Sequence, residues 1–208
     1  RQTHALDAHA DHIMLSLKDT TFHPVELGAR LRLSPDSILA QASAGDLELS
    51  VRSPHGLDSL TIYGHRLLQE IRTETDSLRL DQEKLRLMLP TLQVHLLCGT
   101  RNPVNNLLRS TIGYTFDQLH LDLDSSPAEG LTGDGHLYTL NTGAILLDTI
   151  QWDFTQDPQG VALRSRITNG RRNRVVSFQS SFLARLTATG ATAHLDFIDA
   201  KGKKGVDL

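Results

Sequence analysis

From Phe116 to Leu208 apolar and polar residues alternate in short runs: TFDQLHLDLD, GHLYTLN, AILLDTIQWDFTQ, GVALRSRITN, RVVSFQSSFLARLTA and TAHLDFIDA. The breaks between them, SSPAEG, TG, DPQG, GRRN, TG and KGKKG, are polar or carry glycine. Successive side chains of a strand point to opposite faces, so each run predicts a strand with one covered face and one wetted face. Strands joined by breaks this short form an antiparallel meander. No helical pattern lies between them, so their apolar face must meet something other than local helices.

Upstream the same alternation appears in HIMLSLK, with Ile13, Leu15 and Leu17 on one face, and in VELGARLRL, ILAQASA and DLELSVRS. These predict four short strands, with Leu47, Leu49 and Val51 sharing a face, while Arg1 to Ala10 reads as polar and unassigned. Between Ser53 and Leu89 the period changes to that of a helix, through Leu57, Leu60, Leu67, Leu68, Ile71, Leu78, Leu80, Leu85 and Met88. Ser53-Pro54 offers an N-cap followed by a first-turn proline, and Asp81 with Glu83 offers a second cap. Pro90 stops the helix. Asn102-Pro103 then opens a short helix whose Val104, Leu107 and Leu108 can pack on the sheet. The expected fold is mainly β: an antiparallel meander curled into an elongated groove, half-open or sandwich-like, with an inserted helical hairpin and one short helix. Its parts are N-terminal strands over 1–53, a helical insert over 54–90 and repetitive β-structure over 91–208.

Composition narrows the function. In 208 residues, hydrophobic content is 39% and aromatic content 5%, which suits a long sheet with one solvated face. A net charge of −3 gives no overall pull towards nucleic acid or anionic membrane. No apolar run is long enough to cross a bilayer as a helix. The abrupt start at RQTHALDAHADHIM and the stop at GKKGVDL predict a piece of a longer protein. Cys98, the single cysteine, excludes an intrachain disulfide and reads as a small buried apolar residue.

No sequence motif of catalysis or phosphate binding is present: there is no GxSxG, HExxH, phosphate loop or GxGxxG after a strand. The glycines of GLTGDGH lead into a strand and read as turn and bulge residues. His4, Asp7, His9, Asp11 and His12 are the densest metal-ligand types, but a strand would turn His9 and His12 to opposite faces. His95, His120, His136 and His194 read as polar-face residues. The expectation is therefore no enzyme, no metal and no cofactor. The basic turns Arg171, Arg172, Arg174 and Lys201, Lys203, Lys204 read as hairpin tips.

SSPAEGLTGDGHLYTLNTGAILLDTIQWDFTQDPQGVALRSRITN, with FIDAKGKKGVDL after a basic turn, resembles the TamB-like members of the AsmA-like family, large envelope proteins of Gram-negative bacteria. The resemblance covers about Pro103 to Leu208. It implies a periplasmic module of an inner-membrane-anchored protein, whose apolar β-groove carries phospholipid acyl chains or shields outer-membrane protein segments. The implied roles are lipid transport, protein secretion and outer-membrane biogenesis, with a BamA-like outer-membrane partner.

Periodicity reports a covered face and not what covers it, so a groove and the dry core of a structural or adhesin-like β-repeat predict the same residues. Those residues are Leu119, Leu121 and Leu123, then Leu146, Ile150, Trp152 and Phe154, then Leu163 and Ile167. Val176, Phe178, Phe182, Leu195 and Phe197 complete the set. The resemblance selects the groove. The helical insert is the local candidate to lie over it.

Overall fold

A computed structural model describes residues 3–13, 16–17, 20–21, 25–76, 81–170, 177–199 and 201–207. Its strands are β1 (His4–Ile13), β2 (Ser16–Leu17), β3 (Thr20–Thr21), β4 (Val25–Ser34), β5 (Ser37–Ala44), β6 (Leu47–Ser53), β7 (Leu92–Cys98), β8 (Gln118–Ser126), β9 (Gly130–Asn141), β10 (Leu146–Asp157), β11 (Gly160–Asn169), β12 (Phe178–Thr187), β13 (Gly190–Asp199) and β14 (Lys204–Asp207). Twelve of them form one antiparallel sheet in the order β1-β4-β5-β6-β7-β8-β9-β10-β11-β12-β13-β14. Each strand pairs with the next in that order, and the sheet stays open. The meander expected from the alternation is therefore present, and it extends through the N-terminal strands as one sheet. At the usual interstrand spacing it is roughly 50 Å across its strands.

Two details differ from the sequence expectation. The segment left unassigned as polar belongs to β1, paired with β4 from His4↔Leu33 to Ala10↔Leu27. Its apolar positions are Leu6, Ala8 and Ala10, and alanine carries too little hydrophobic contrast to mark a strand. Ile13 ends β1, whereas Leu17 belongs to the separate β2–β3 hairpin, so these two do not share a strand. Leu15 lies outside the described residues.

The helical insert comprises α1 (Leu57–Asp76) and α2 (Gln82–Leu87). Asp81 caps α2 as expected, accepting from the Lys84 N–H at 3.0 Å. Ser53 does not cap α1. Its hydroxyl donates to the Thr91 carbonyl at 2.7 Å and accepts from the His55 N–H at 3.1 Å, tying together the two chain segments that flank the insert. Lys84 pairs with Glu70 and with Glu74 at 3.6 Å, and Glu74 accepts from the Asp81 N–H at 2.7 Å, so the hairpin is held by polar contacts. Leu78 and Leu80 lie outside the described residues.

The third helix, α3 (Pro103–Ile112), begins at the Asn102 cap and ends at Gly113 with φ of 74°. Of the three residues expected to pack on the sheet, Val104 and Leu108 are half-buried and Leu107 is not. The side turned inward carries Asn105, 1% exposed, while Leu107 is 53% exposed. Asn105 donates to the Phe116 carbonyl at 2.7 Å and accepts from the Phe116 N–H at 3.4 Å, so hydrogen bonding decides which side of α3 turns inward.

Candidate functional site

Cross-strand register sorts the side chains of the sheet into two faces, because directly paired residues of an antiparallel ladder point the same way. Leu119, Leu121 and Leu123 of β8 share a face with Ile150, Trp152 and Phe154 of β10 through the intervening β9. The ladder carries the same face on to Leu163 and Ile167, then to Phe182, and then to Leu195 and Phe197. Leu146 and Phe178 fall on it by alternation, and the Phe178 and Phe197 rings stack with centroids 5.3 Å apart. Every described residue of the predicted set therefore lies on one face. Val176 lies outside the described residues.

In the other direction the same face continues through Val94, Val51, Ala40 and Leu31 to Leu6. These upstream positions were not among the predicted residues, since sequence alone does not join the two sets of strands.

The face is half-covered at most. The predicted residues are half-buried, and Leu163 is 37% exposed. Among the described residues the buried hydrophobic side chains are Ile38, Ala44, Leu85, Leu89, Cys98 and Phe116. Two of these belong to the α2 segment, and Cys98 and Phe116 lie by α3. Among the described residues the other sheet is the two-stranded β2–β3 hairpin.

Helix α2 and the start of α3 sit at opposite ends of the strands. At one end α2 touches β9 and β10, and the Gln156 amide donates to the Gln82 side chain at 3.4 Å. Arg86 there donates to the carbonyls of Pro127 at 2.5 Å and Ala128 at 2.7 Å. At the other end Asp46, in the β5–β6 turn, accepts from the N–H of Arg101 at 2.8 Å, from the N–H of Gly99 at 3.2 Å and from the Asn102 amide at 2.8 Å. Burial raises the Asp46 pKa, but these hydrogen bonds outweigh it and the net shift is downward. Cys98 is fully buried beside this clamp, and burial pushes its thiol up to about 11, so it is an inert packing residue.

Strand β9 departs from the sequence expectation. Gly133 and Gly135 are mid-strand residues, not turn or bulge residues, and Gly130, with φ of 87°, opens the strand. An ideal Cβ on Gly133 would stand 2.4 Å from the Phe154 ring, and one on Gly135 would stand 2.5 Å from the Trp152 indole. The two rings of β10 therefore lie flat across the glycines of β9. Aromatic side chains over strand glycines restore the packing that glycine removes.

The opposite face is polar and organised by directly opposed pairs. Asp7 meets Arg30 at 3.4 Å, Gln93 meets Asp124 at 2.8 Å, His95 meets Asp122 at 2.5 Å, and Asp153 meets Arg164 at 3.5 Å. All four are ladder partners. His120, His136 and His194 share this face, as the alternation predicts. A shallow polar basin of about 550 Å³ lies between Asp134, Gln151, Asp153, Arg164 and His194. Asp153 there is paired with Arg164, and nearby Asp196 is paired with His194 at 3.2 Å.

The fold thus defines an open single-layer antiparallel β-meander, apolar on one face and ion-paired on the other. No family model matches the chain, and neither curated proteins nor solved structures supply a match. No helix among the described residues is long and apolar enough to cross a membrane.

Proposed function

We propose that the apolar face carries phospholipid acyl chains, or shields apolar segments of outer-membrane proteins, as a periplasmic module of a TamB-like, membrane-bridging protein. In this reading it acts in outer-membrane biogenesis with a BamA-like partner, and the chemistry is non-covalent. One observation carries it: a contiguous apolar face crosses the sheet, and α2 meets β9 and β10 at their ends.

Three further features support the reading. The bilayer hydrocarbon core is about 30 Å thick, so one leaflet's acyl chain spans about 15 Å. The sheet's breadth of roughly 50 Å exceeds that several-fold. The lining mixes Leu and Ile with Trp152 and four phenylalanines, and the Trp152 and Phe154 rings lie over Gly135 and Gly133, so a chain can pass over them. Each acyl methylene removed from water contributes about 0.8 kcal/mol, which suffices for binding without a polar anchor.

Photo-crosslinkers at Ile150 and Leu163, compared with Gln151 and Arg164 on the opposite face, test the proposal in cells. The expected result is phospholipid or outer-membrane-protein adducts from Ile150 and Leu163 alone. Adducts from both faces, or from neither, would overturn it. Adducts to a second protein layer of the same envelope complex, with no lipid, would instead favour a dry structural β-repeat.

A further inference from the structure

The polar face holds a cluster that the apolar-face reading does not use. His95 of β7 and Asp122 of β8 are direct ladder partners, and His120 precedes Asp122 by two residues on the same face of β8. One ligand atom from each of the three lies within 4.8 Å of the others. Nδ1 of His95 is 2.5 Å from one Asp122 oxygen, and Nε2 of His120 is 2.9 Å from the other. His120 also lies between two further rings, at 5.4 Å from His95 and 4.9 Å from His136.

We propose that His95, His120 and Asp122 bind a divalent late-first-row transition metal on the polar face of the sheet, with Zn²⁺ as the reference ion. Two imidazoles and one carboxylate form a donor set that suits Zn²⁺, Co²⁺ or Ni²⁺ better than Ca²⁺ or Mg²⁺, which prefer all-oxygen shells. The ladder supplies preorganisation. A directly opposed pair and an i, i+2 pair are fixed by backbone hydrogen bonding, so the three side chains converge without a loop having to order.

Both histidines now share one carboxylate, and a cation replacing the bridging protons would satisfy all three groups together. The Nδ1 atom of His120 is buried with no hydrogen-bond partner, so this ring is not fully committed to holding the fold. Side-chain exposure is 46% for His95, 20% for His120 and 40% for Asp122, which leaves the remaining coordination positions open to water or to a ligand from another molecule.

Competitive titration of the whole chain with Zn²⁺ against a chromophoric chelator at pH 7.4 tests the proposal, with Co²⁺ absorption as a second readout. One equivalent should bind, and His95→Gln, His120→Gln and Asp122→Asn should each weaken it by more than about tenfold. The triple variant His4→Gln, His9→Gln, His12→Gln should leave that affinity unchanged. Absence of saturable binding would overturn the site. So would binding that follows the terminal histidines, or binding indifferent to His95→Gln. His95 is the most exposed of the three, so its variant keeps the test decisive where Asp122→Asn disturbs the ladder.

Discussion

Replacing Gly135 by alanine tests the packing of the apolar face at its most constrained point. The new Cβ would stand 2.5 Å from Cζ2 of Trp152 and 2.6 Å from the His120 carbonyl oxygen. Comfortable carbon contacts begin near 3.5 Å, so the overlap is roughly 1 Å. The indole can swing aside, but the carbonyl is fixed in β8 and cannot yield without bending the ladder. Overpacking of this kind costs about 1–3 kcal/mol. The loss of glycine's freedom in the unfolded chain returns about 0.4–1 kcal/mol of that. A net cost of about 1–2 kcal/mol lowers Tm by roughly 2–8 °C in a chain of this size. Trp152 is the single tryptophan, so its fluorescence reports the displaced ring directly. Gly135→Ala should lower the thermal midpoint and shift the emission to the red. An unchanged midpoint together with unchanged emission would refute the picture of an indole lying on the glycine.

Gly64→Ala in α1 is the matched control: nothing lies within 4 Å of its Cβ, so the helix should gain up to about 1 kcal/mol, read as a higher urea midpoint. Asn105→Ala strands the buried Phe116 amide and carbonyl and should cost about 2 kcal/mol in chemical denaturation. Asp46 has a lowered pKa, so its carboxylate stabilises the fold above the unfolded value near 3.8 and that contribution is lost as pH falls through the lower folded value. The Tm difference between wild type and Asp46→Ala should therefore be full at pH 7 and shrink at pH values below 3.8; a gap independent of pH would show that the carboxylate charge is not what clamps residues 99–102. Leu163→Glu separates an open face from a dry core: at 37% exposure the substitution should cost no more than about 1 kcal/mol in thermal melts while abolishing lipid adducts at Ile150, whereas a sealed core would unfold.

The parts of this fold that could be read from the chain are those in which a local period decides the outcome. Leu119, Leu121 and Leu123 alternate with His120 and Asp122, and a strand can satisfy that pattern in only one way. Asn102-Pro103 and Asp81 announce their helix starts because capping is a contact over three residues. What escaped reading depends on partners distant in sequence. The apolar positions of β1 are mostly alanines, visible as a strand only once β4 pairs with them. Gly133 and Gly135 resemble turn residues until Trp152 and Phe154 are laid over them from the next strand. The inward side of α3 is chosen by Asn105 binding Phe116, a contact that hydrophobic spacing cannot report. The convergence of His95 with Asp122 needs the β7–β8 register, which no motif encodes.

The direction of the apolar path follows from the same register. One row of this face runs across the strands from Ala8 through Ala29, Ala42, Leu49, Leu96, Leu121, Gly135, Trp152, Ser165 and Phe182 to Leu195. Along such a row the next strand is about 5 Å away, and Gly135 and Ser165 are its two positions without an apolar side chain. Along a strand, the same face recurs only every second residue, at about 7 Å, and the path soon ends against α2 or the Asp46 clamp. On the proposed reading, a chain of methylenes shifting along this row crosses no charged side chain, because the ion pairs named above lie on the opposite face. Its net change in buried area per step is small, so the barrier to sliding is low even where total binding is strong. On the proposed reading, α2 at one end of the strands and the Asp46 clamp at the other bound that path.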